Sequence, residues 1–293
     1  MSTAPVGRRP ALERPVFLVS TPRSGSTLLF RTLIQSPDAC SIGGESHGVF
    51  EGIHALHPAT RGWHSNRLDA ADAAPAIVVE LSQRFAEKLV DRDGEPPASQ
   101  RMVEKTPKNA LRVPFLAAAY PGATFVYLHR DPRPTLSSMI EAWQSGRFRT
   151  YPRLPGWTAP LPWSLLLVPG WRALHGRPLA EIVARQWAAT TEILVADLAM
   201  LPRERVRTIS YEDFLAAPQA AITRLCASLG LAWDNDLSAG LPLSPTTVSE
   251  PAPDKWRRHE AELEQVAPLF AQAETRANAF AAAIDSAAAA SAR

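Results

Sequence analysis

The sequence predicts an α/β protein whose central, mostly parallel sheet carries helices on both faces. Short apolar runs that fit buried strands alternate along the chain with longer segments of helical periodicity. The chain has 293 residues, enough for one large domain, and 46% of them are hydrophobic, enough for a sizeable core. Charged residues make up 20%, which argues against extensive disorder.

The first strand, helix and loop are predicted from the first quarter of the chain. Residues 16–19 are four apolar residues after a proline and fit a buried parallel strand. A helix is predicted over residues 26–35, because the sequence Ser36-Pro37-Asp38 stops it. Residues 43–74 are rich in Gly, His and Asp without periodicity, so we expect a long functional loop with short helical pieces.

The rest of the chain continues the alternation. Further strands are predicted at residues 102–103, 124–128 and 206–210. Further helices are predicted at residues 76–91, 108–120, 133–143, 179–201, 218–230 and 254–276. We therefore expect one domain over residues 15–278, a flexible arm at residues 1–14, and an alanine-rich tail at residues 279–293 that frays.

The composition of the chain argues against several classes of protein. The formal net charge is +2, too small to predict a nucleic-acid partner. The two cysteines, Cys40 and Cys226, are too few and too far apart for a disulfide framework or a C-x-x-C metal pair, which favours a reducing compartment. The amino terminus is polar, and the best membrane candidate, residues 161–171, is shorter than the roughly 20 residues of a span. We therefore expect no signal peptide, no membrane span and a cytoplasmic location.

The loop between the first strand and the first helix has the features of an anion site. It reads Ser20-Thr21-Pro22-Arg23-Ser24-Gly25-Ser26-Thr27. Gly25 allows a tight turn, and the free N–H groups at the start of the helix attract an anion. Arg23 adds a positive charge whose donors match phosphate or sulfate oxygens. Further donors are the hydroxyl groups of Ser24, Ser26 and Thr27.

This loop differs from the Walker A loop of magnesium-nucleotide enzymes, which ends in Gly-Lys-Ser/Thr. No lysine precedes the hydroxyl residues here, which disfavours a metal-dependent nucleoside kinase. The alternative for the loop is a serine-rich N-cap on an ordinary helix.

A second anion site is predicted after the strand at residues 124–128. The sequence there is Arg130-Asp131-Pro132-Arg133-Pro134, and its two prolines fix a turn that starts a helix. Arg130 and Ser138, two helical turns later, can bind a phosphate together; the alternative is a local ion pair of Arg130 with Asp131. Because both loops follow the carboxyl ends of parallel strands, they can meet over one ligand.

Together the two loops resemble the sulfotransferase family that uses 3'-phosphoadenosine 5'-phosphosulfate (PAPS). In that family a Pro-Arg-Ser-Gly-Thr/Ser-Thr loop binds the 5'-phosphosulfate, and an Arg followed eight positions later by a Ser binds the 3'-phosphate. Here these are residues 21–27, and Arg130 with Ser138. Residues 211–214 and 225–230 also look like the family's later region. The resemblance implies a three-layer, P-loop-NTPase-like fold, PAPS as cofactor, adenosine 3',5'-bisphosphate as its spent form, and no metal.

Three further segments resemble the branch of tyrosylprotein sulfotransferases and their bacterial relatives. Residues 43–46 are similar to a Gly-Glu-Glu-Thr segment that supplies a glutamate base, with one extra residue before it here. Residues 104–107 resemble a Lys-Asp-Pro segment that supplies a lysine near the bridging oxygen. Residues 254–257 are similar to a late Lys-Trp pair that approaches the cofactor.

The resemblance implies roles for these residues in sulfuryl transfer to a hydroxyl group. Glu45 would accept the proton of the acceptor hydroxyl, and His47 is the alternative base. Arg23 and Lys105 would stabilise the charge that develops on the moving group and the bridging oxygen. The implied cofactor-binding residues are Arg23, Ser24, Gly25, Ser26, Thr27, Arg130, Ser138, Lys255, Trp256 and Arg257.

Simpler structural roles compete with these. Glu45 could cap a helix, and Lys105 could be a surface lysine. Four histidines lie close together in the sequence: His47, His54, His57 and His64. Their spacing matches no zinc-ligand pattern and no cysteine joins them, so we expect no metal.

Residues 147–178 are the candidate acceptor lid, because they are dense in Pro and Trp. An apolar wall would consist of Trp157, Trp163, Trp171 and residues 165–168, with core packing of an insertion as the alternative. The hydroxyl acceptor could be a small molecule, a peptide or a carrier-tethered group. Two alternatives to a sulfotransferase stay open: a nucleotide-dependent kinase-like phosphotransferase and a non-catalytic nucleotide-binding protein.

Overall fold

The computed structural model describes residues 14–98, 101–238 and 254–291, together with residues 12, 240, 241, 248 and 252. The strands are β1 (Val16–Val19), β2 (Val103–Lys105), β3 (Thr124–His129), β4 (Arg149–Tyr151), β5 (Trp163–Ser164) and β6 (Val206–Ser210). The α-helices are α1 (Ser26–Leu33), α2 (His47–Glu51), α3 (Pro75–Ala86), α4 (Val113–Ala119), α5 (Pro132–Ser145), α6 (Leu179–Ala199), α7 (Tyr211–Ala216), α8 (Pro218–Leu229), α9 (Glu260–Val266) and α10 (Ala271–Ser291). Strands and helices alternate as predicted.

In the described part of the chain, four strands form a parallel sheet in the order β2-β1-β3-β6. The central strand β1 pairs with both neighbours, so Val16 lies opposite Val103 and Thr124. Both β1 and β3 are buried along nearly their whole length, which explains why their apolar runs do not alternate with polar residues. Strands β4 and β5 form a separate antiparallel pair inside the insertion at residues 147–178.

Helices cover both faces of the parallel sheet. Phe17 and Val19 of β1 point into a core that includes side chains of α3, α4 and α6. Val16 and Leu18 point into the opposite core, which includes side chains of α1 and α8. Successive side chains of a strand point to opposite faces, so one short strand anchors both layers. These layers confirm the predicted three-layer α/β fold.

Two helices predicted as continuous are divided in the structure. Residues 107–111 form a 3₁₀ turn, and α4 starts after Arg112 leaves helical geometry with a φ of −126°. Pro114 has no N–H to donate to the carbonyl of Ala110, and its ring would clash with that carbonyl in a continuous helix, which accounts for the break. The segment predicted as one helix over residues 254–276 divides into a 3₁₀ turn (Lys255–His259), α9, a second 3₁₀ turn that contains Pro268, and α10.

The two ends of the domain compare differently with the prediction. Helix α10 continues to Ser291, and Phe280 packs against the core, so the boundary predicted at residue 278 falls inside a helix. The arm predicted at residues 1–14 lies outside the described residues except for Leu12 and Arg14. Among the helices of the described ranges, none has the length and apolarity that crossing a membrane takes.

Candidate active site

The sheet brings the two predicted anion loops together. Strands β1 and β3 are parallel neighbours, so the loop of residues 20–25 and the turn at Arg130 leave the same edge. A guanidinium nitrogen of Arg130, Nη1, donates a hydrogen bond to the backbone oxygen of Arg23 over 3.1 Å. Nε of Arg23 donates in turn to Oγ of Ser138, also over 3.1 Å. The structure thus places Arg23, Arg130 and Ser138 in one site.

The anion loop of residues 20–25 is wound tightly. Arg23 and Gly25 both adopt left-handed backbone geometry, with φ values of +67° and +90°. Glycine adopts this region freely, whereas an arginine there is strained. A Cβ added at Gly25 would overlap the ring of Tyr211. The sequence therefore needs glycine at this position both for its backbone angle and for the close approach of Tyr211.

The start of α1 completes the loop. The hydroxyl groups of Thr21 and Ser24 hydrogen bond to each other over 2.6 Å. The helix begins at Ser26, directly after Gly25, which has no side chain to cap it. The first N–H groups of α1 are therefore available to an anion, and the helix dipole favours one there.

Both arginines of the site carry their charge in a buried setting. Burial lowers the pKa of Arg23 to about 10 and also lowers the pKa of Arg130, but an arginine at these values stays protonated near neutral pH. The guanidinium of Arg130 lies 4.3 Å from the ring centroid of Tyr211. Its buried Nε has no hydrogen-bond partner among the described residues. Because an unpartnered buried donor is costly, this donor set fits a bound phosphate or sulfate group, as PAPS would supply.

Glu45, His47 and Lys105 form a second cluster beside the anion loop. Nζ of Lys105 lies 2.5 Å from Oε1 of Glu45 and 3.1 Å from the hydroxyl oxygen of Thr27. Nε2 of His47 lies 2.8 Å from the other carboxylate oxygen of Glu45. Lys105 therefore links the candidate base to the anion loop.

The burial of these side chains decides between the roles that the sequence left open. The Lys105 side chain is 3% exposed, so the surface-lysine alternative is wrong. The N-cap of α2 is Ser46, not Glu45, so helix capping does not account for Glu45 either. The Glu45 side chain is 32% exposed, which leaves its carboxylate within reach of an acceptor from solvent.

Electrostatics keep Glu45 ionised. Burial of the carboxylate favours its neutral form, but the hydrogen bond from His47 and the charge of Lys105 outweigh this and lower the pKa of Glu45 to about 2. A carboxylate with so low a pKa is a weak proton acceptor. A ligand that draws Lys105 toward the anion loop would weaken this stabilisation and make Glu45 a stronger base.

The late segment of residues 255–258 contacts the site through an acidic residue on α5. Lys255 Nζ and Arg258 Nη1 pair with the two carboxylate oxygens of Glu141 at 3.0 and 2.8 Å. Glu141 is buried, and its charge acts to raise the pKa of Arg23, so it lies near the anion loop. The sequence analysis included Lys255 but missed Glu141 and Arg258.

The other two residues predicted in this segment have different surroundings. Trp256 packs against the core that contains the insertion. Arg257 is 55% exposed and pairs with Asp254 and Glu260 at 3.2 and 2.8 Å. Its role toward the cofactor stays a prediction.

Two aromatic residues that the sequence analysis did not assign also border the site. The ring of Phe148 lies 4.7 Å from the Arg23 guanidinium. Tyr211 contacts the anion loop at Gly25 and lies over Arg130. Tyr211 directly follows β6, and this strand-end position was the available signal. No local pattern distinguishes Phe148.

The remaining histidines of the long loop have structural contacts. Nδ1 of His57 accepts a hydrogen bond from the N–H of Ala59, and its ring packs edge-on against Trp63. Across the residues that the structure describes, no group of three or more His, Cys, Asp or Glu side chains is arranged to hold a metal ion.

The tryptophans of the insertion pack mainly against one another. Trp163 and Trp171 are fully buried, with ring centroids 5.6 Å apart, and Trp157 lies 5.0 Å from Trp163. Residues 165–168 are buried as well, whereas Trp157 keeps partial exposure. Core packing therefore describes most of this wall, and Phe148 at the start of the insertion is the part that borders Arg23.

Comparison with known proteins places these features in a family. The model of the sulfotransferase family matches residues 15–159 and 167–235. Protein-tyrosine sulfotransferase 1 of Danio rerio is 30% identical over 127 residues, which cover 43% of this chain and 35% of that protein. Nodulation protein NoeE of Sinorhizobium fredii is 26% identical over 230 residues, which cover 73% of this chain and 49% of that protein. The chain thus spans about half or less of the length of these relatives.

A solved structure shows the same fold. The crystal structure of a sulfotransferase from Alicyclobacillus acidocaldarius has a TM-score of 0.50 and 19% identity, covering 92% of this chain and 96% of that one. The family match includes both anion loops and the cluster of Glu45 with Lys105, and it extends over more than half of the chain. The chain therefore belongs to the sulfotransferase family.

Proposed function

We propose that the chain transfers the sulfuryl group of PAPS to a hydroxyl group of an acceptor. The observation that carries the proposal is the contact of Lys105 with both Thr27 and Glu45, because it joins the anion loop to the candidate base. Group transfer of this kind depends on aligned partners and on positive charge where negative charge develops. Membership of the sulfotransferase family supports the same chemistry.

The donors of the site divide into two groups, which suits the two anionic ends of PAPS. The N–H groups of residues 24–27 and the guanidinium of Arg23 would bind the 5'-phosphosulfate. Arg130 and Ser138 would bind the 3'-phosphate, with Lys255 close by on the α5 side. When bound, PAPS supplies the activated sulfuryl group, and the protein supplies position and charge.

Glu45 is the proposed base. It is ionised, partly exposed and adjacent to Lys105, so it can take the acceptor's proton beside the charge that stabilises the reaction. His47, hydrogen bonded to the second carboxylate oxygen, orients Glu45 and offers a route for the proton to solvent.

The acceptor is proposed to enter between Glu45 and the start of the insertion at residues 147–178. The position of Phe148 against Arg23 supports this, because it makes one wall of the site apolar. The name of the protein-tyrosine sulfotransferase relative makes a tyrosine hydroxyl of a protein or peptide the first acceptor to test. Small-molecule and carrier-tethered hydroxyls form the rest of the screen.

Calorimetric titration with adenosine 3',5'-bisphosphate tests the cofactor site. We expect the wild type to bind, and we expect Arg130→Ala to weaken the affinity about 10- to 100-fold. This change corresponds to the free energy of one charge-assisted hydrogen bond. Arg133→Ala is the matched control, because Arg133 lies in the first turn of α5, close to Arg130 in the chain, is 44% exposed and pairs with Glu274 at 3.5 Å. Tighter binding of ATP with magnesium would reject the proposal in favour of a kinase-like enzyme. Binding without transfer to any acceptor would favour a non-catalytic protein.

A further inference from the structure

A fully buried carboxylate joins the two segments that carry Glu45 and Lys105. Glu104 of β2 is 1% exposed. Its Oε1 atom lies 2.6 Å from Oγ of Ser46 and 2.6 Å from Oγ1 of Thr106. Ser46 follows Glu45 in the chain, and Glu104 and Thr106 flank Lys105. The family resemblance includes Glu104 in the segment of residues 104–107 but gives it no role, and the proposed mechanism does not use it.

With Glu104 ionised, Ser46 and Thr106 can each donate to its Oε1 atom, but the short contact between the two hydroxyl oxygens is then left without a proton. The hydroxyl oxygens of Ser46 and Thr106 lie 2.9 Å from each other, so with Oε1 of Glu104 they form a closed triangle of hydrogen-bond distances. Each side of the triangle needs one proton, and each hydroxyl has one to donate. The third proton is present when Glu104 itself is protonated. Thr106 can still accept the N–H of Ser46, because its second lone pair is free of the triangle.

The charges of Lys105 and Arg112 act to lower the pKa of Glu104, but neither cation is paired with it. Within the described ranges, no lysine or arginine forms an ion pair with it. The cations whose charge reaches it, Lys105 and Arg112, are directed at other carboxylates. Tyr120, the other titratable group nearby, is a neutral phenol whose pKa burial raises to about 12. Burial outweighs these charges and the hydrogen bonds from Ser46 and Thr106, so it raises the pKa of Glu104 and favours the protonated form.

The remaining carboxyl oxygen is also satisfied. Oε2 of Glu104 accepts a hydrogen bond from the side-chain amide of Asn109. The Oδ1 atom of Asn109 is directed at the Arg112 guanidinium, 3.5 Å away. The Asn109 side chain therefore lies between the buried Arg112 and the Glu104 carboxyl group, and it is hydrogen bonded to both.

We propose that Glu104 is a proton-bearing positioning residue that, as a neutral acid, closes the triangle with Ser46 and Thr106 and so fixes Glu45 beside Lys105. This role rests on the proposed function, because Glu45 and Lys105 are its reacting parts. Neutrality matters because an ionised Glu104, next to Lys105 in the chain, would compete with Glu45 for the lysine charge.

Difference infrared spectroscopy at neutral pH tests the protonation without any substrate. The spectrum of wild type minus Glu104→Gln should contain the C=O stretching band of a protonated carboxyl group, and this band should shift in D₂O. Glu51→Gln is the matched control, because Glu51 is a largely buried carboxylate that pairs with Lys108 and Arg112. Its difference spectrum should lack the band. Should Glu104→Gln fail to fold, Ser46→Ala should shift the same band by removing a partner. Absence of the band would overturn the proposal.

Kinetics test the positioning role. Glu104→Gln, which has nearly the shape of the neutral acid, should keep kcat within about threefold of wild type. Glu104→Ala should lower kcat about 100-fold, since a displacement of about 1 Å can cost that much, while its affinity for adenosine 3',5'-bisphosphate stays close to wild type. Equal losses of kcat in the two variants would reject the neutral positioning role. No transfer by the wild type would reject the proposed function and leave the infrared result standing.

Discussion

The anion loop of residues 20–25 contains Arg23 and the insertion of residues 147–178 contacts it, yet the two segments are built in opposite ways. The loop owes its shape to backbone geometry at Arg23 and Gly25, and it offers N–H groups and charges. The insertion owes its shape to buried tryptophans that pack edge to face, and it brings one aromatic ring, Phe148, to the site. The difference suggests that anion recognition and the acceptor wall can be changed independently.

Removal of the proposed base should have the largest effect. Glu45→Gln should lower kcat about 10²- to 10⁴-fold, the usual contribution of a general base, because no carboxylate then accepts the acceptor's proton. Binding of adenosine 3',5'-bisphosphate should persist, since the anion loop is intact. Transfer rates from labelled PAPS, together with a titration of the bisphosphate, measure both.

His47→Gln is the control for that experiment. If His47 orients Glu45 and passes on its proton, the loss in kcat should stay near tenfold or below. A larger loss in His47→Gln than in Glu45→Gln would make His47 the base and contradict the assignment.

Truncation inside the insertion should separate stability from anion binding. Trp163→Ala should lower the free energy of unfolding by about 3–5 kcal/mol, because a fully buried aromatic side chain leaves a cavity. Affinity for adenosine 3',5'-bisphosphate should stay within about twofold, since the ring and hydrogen-bond partners of Trp163 in the described structure lie in α5 and the insertion. Urea unfolding and calorimetry measure the two quantities, and Trp157→Ala, which removes a partly exposed ring, should destabilise less. A loss of bisphosphate affinity as large as that of Arg130→Ala would break the proposed independence.

A change in the loop backbone should show the opposite pattern. Gly25→Ala places a Cβ where the ring of Tyr211 lies and forces alanine into left-handed geometry. We expect a loss of about 1–3 kcal/mol in the free energy of unfolding, typical of such strain, together with about tenfold weaker bisphosphate binding. Gly48→Ala is the control, because a Cβ there meets no atom within 4 Å. Unchanged bisphosphate binding in Gly25→Ala would show that the loop tolerates a second shape.

Local sequence patterns were sufficient to predict that the loop of residues 20–25 and the turn at Arg130 meet. Arg23, Gly25 and Arg130 belong to short segments at strand ends, and the parallel pairing of β1 with β3 brings those segments together without further information. The buried strands were predictable for the same reason, because a continuous apolar run identifies a strand that is covered on both faces.

Contacts between segments far apart in the chain could not be predicted in this way. Phe148 meets Arg23, and Arg258 meets Glu141, only because helices α5 and α6 and the insertion fold into one core. The sequence analysis selected the neighbour Arg257 instead, since a basic pattern does not indicate which of two adjacent arginines pairs with Glu141. The Ser46–Glu104 contact was hidden as well, because it joins two segments 58 residues apart.

The smallest predicted effect concerns a buried ion pair that also contacts the insertion. Lys108 is 3% exposed, pairs with Glu51 and lies 2.9 Å from the hydroxyl oxygen of Tyr151 in β4. Burial outweighs the Glu51 charge and lowers the pKa of Lys108 to about 8, below the value of about 10.4 expected in the unfolded chain. The folded state therefore binds fewer protons in that window, and the free energy of unfolding should rise by about 1 kcal/mol from pH 8 to pH 9 and fall again as the pH is lowered. Lys108→Met should remove this rise, whereas Lys88→Met, at an exposed lysine, should keep it. A flat wild-type profile in urea unfolding would show that Lys108 stays protonated in the folded state. In that case its ion pair with Glu51 would stabilise the insertion together with the packing of the tryptophans.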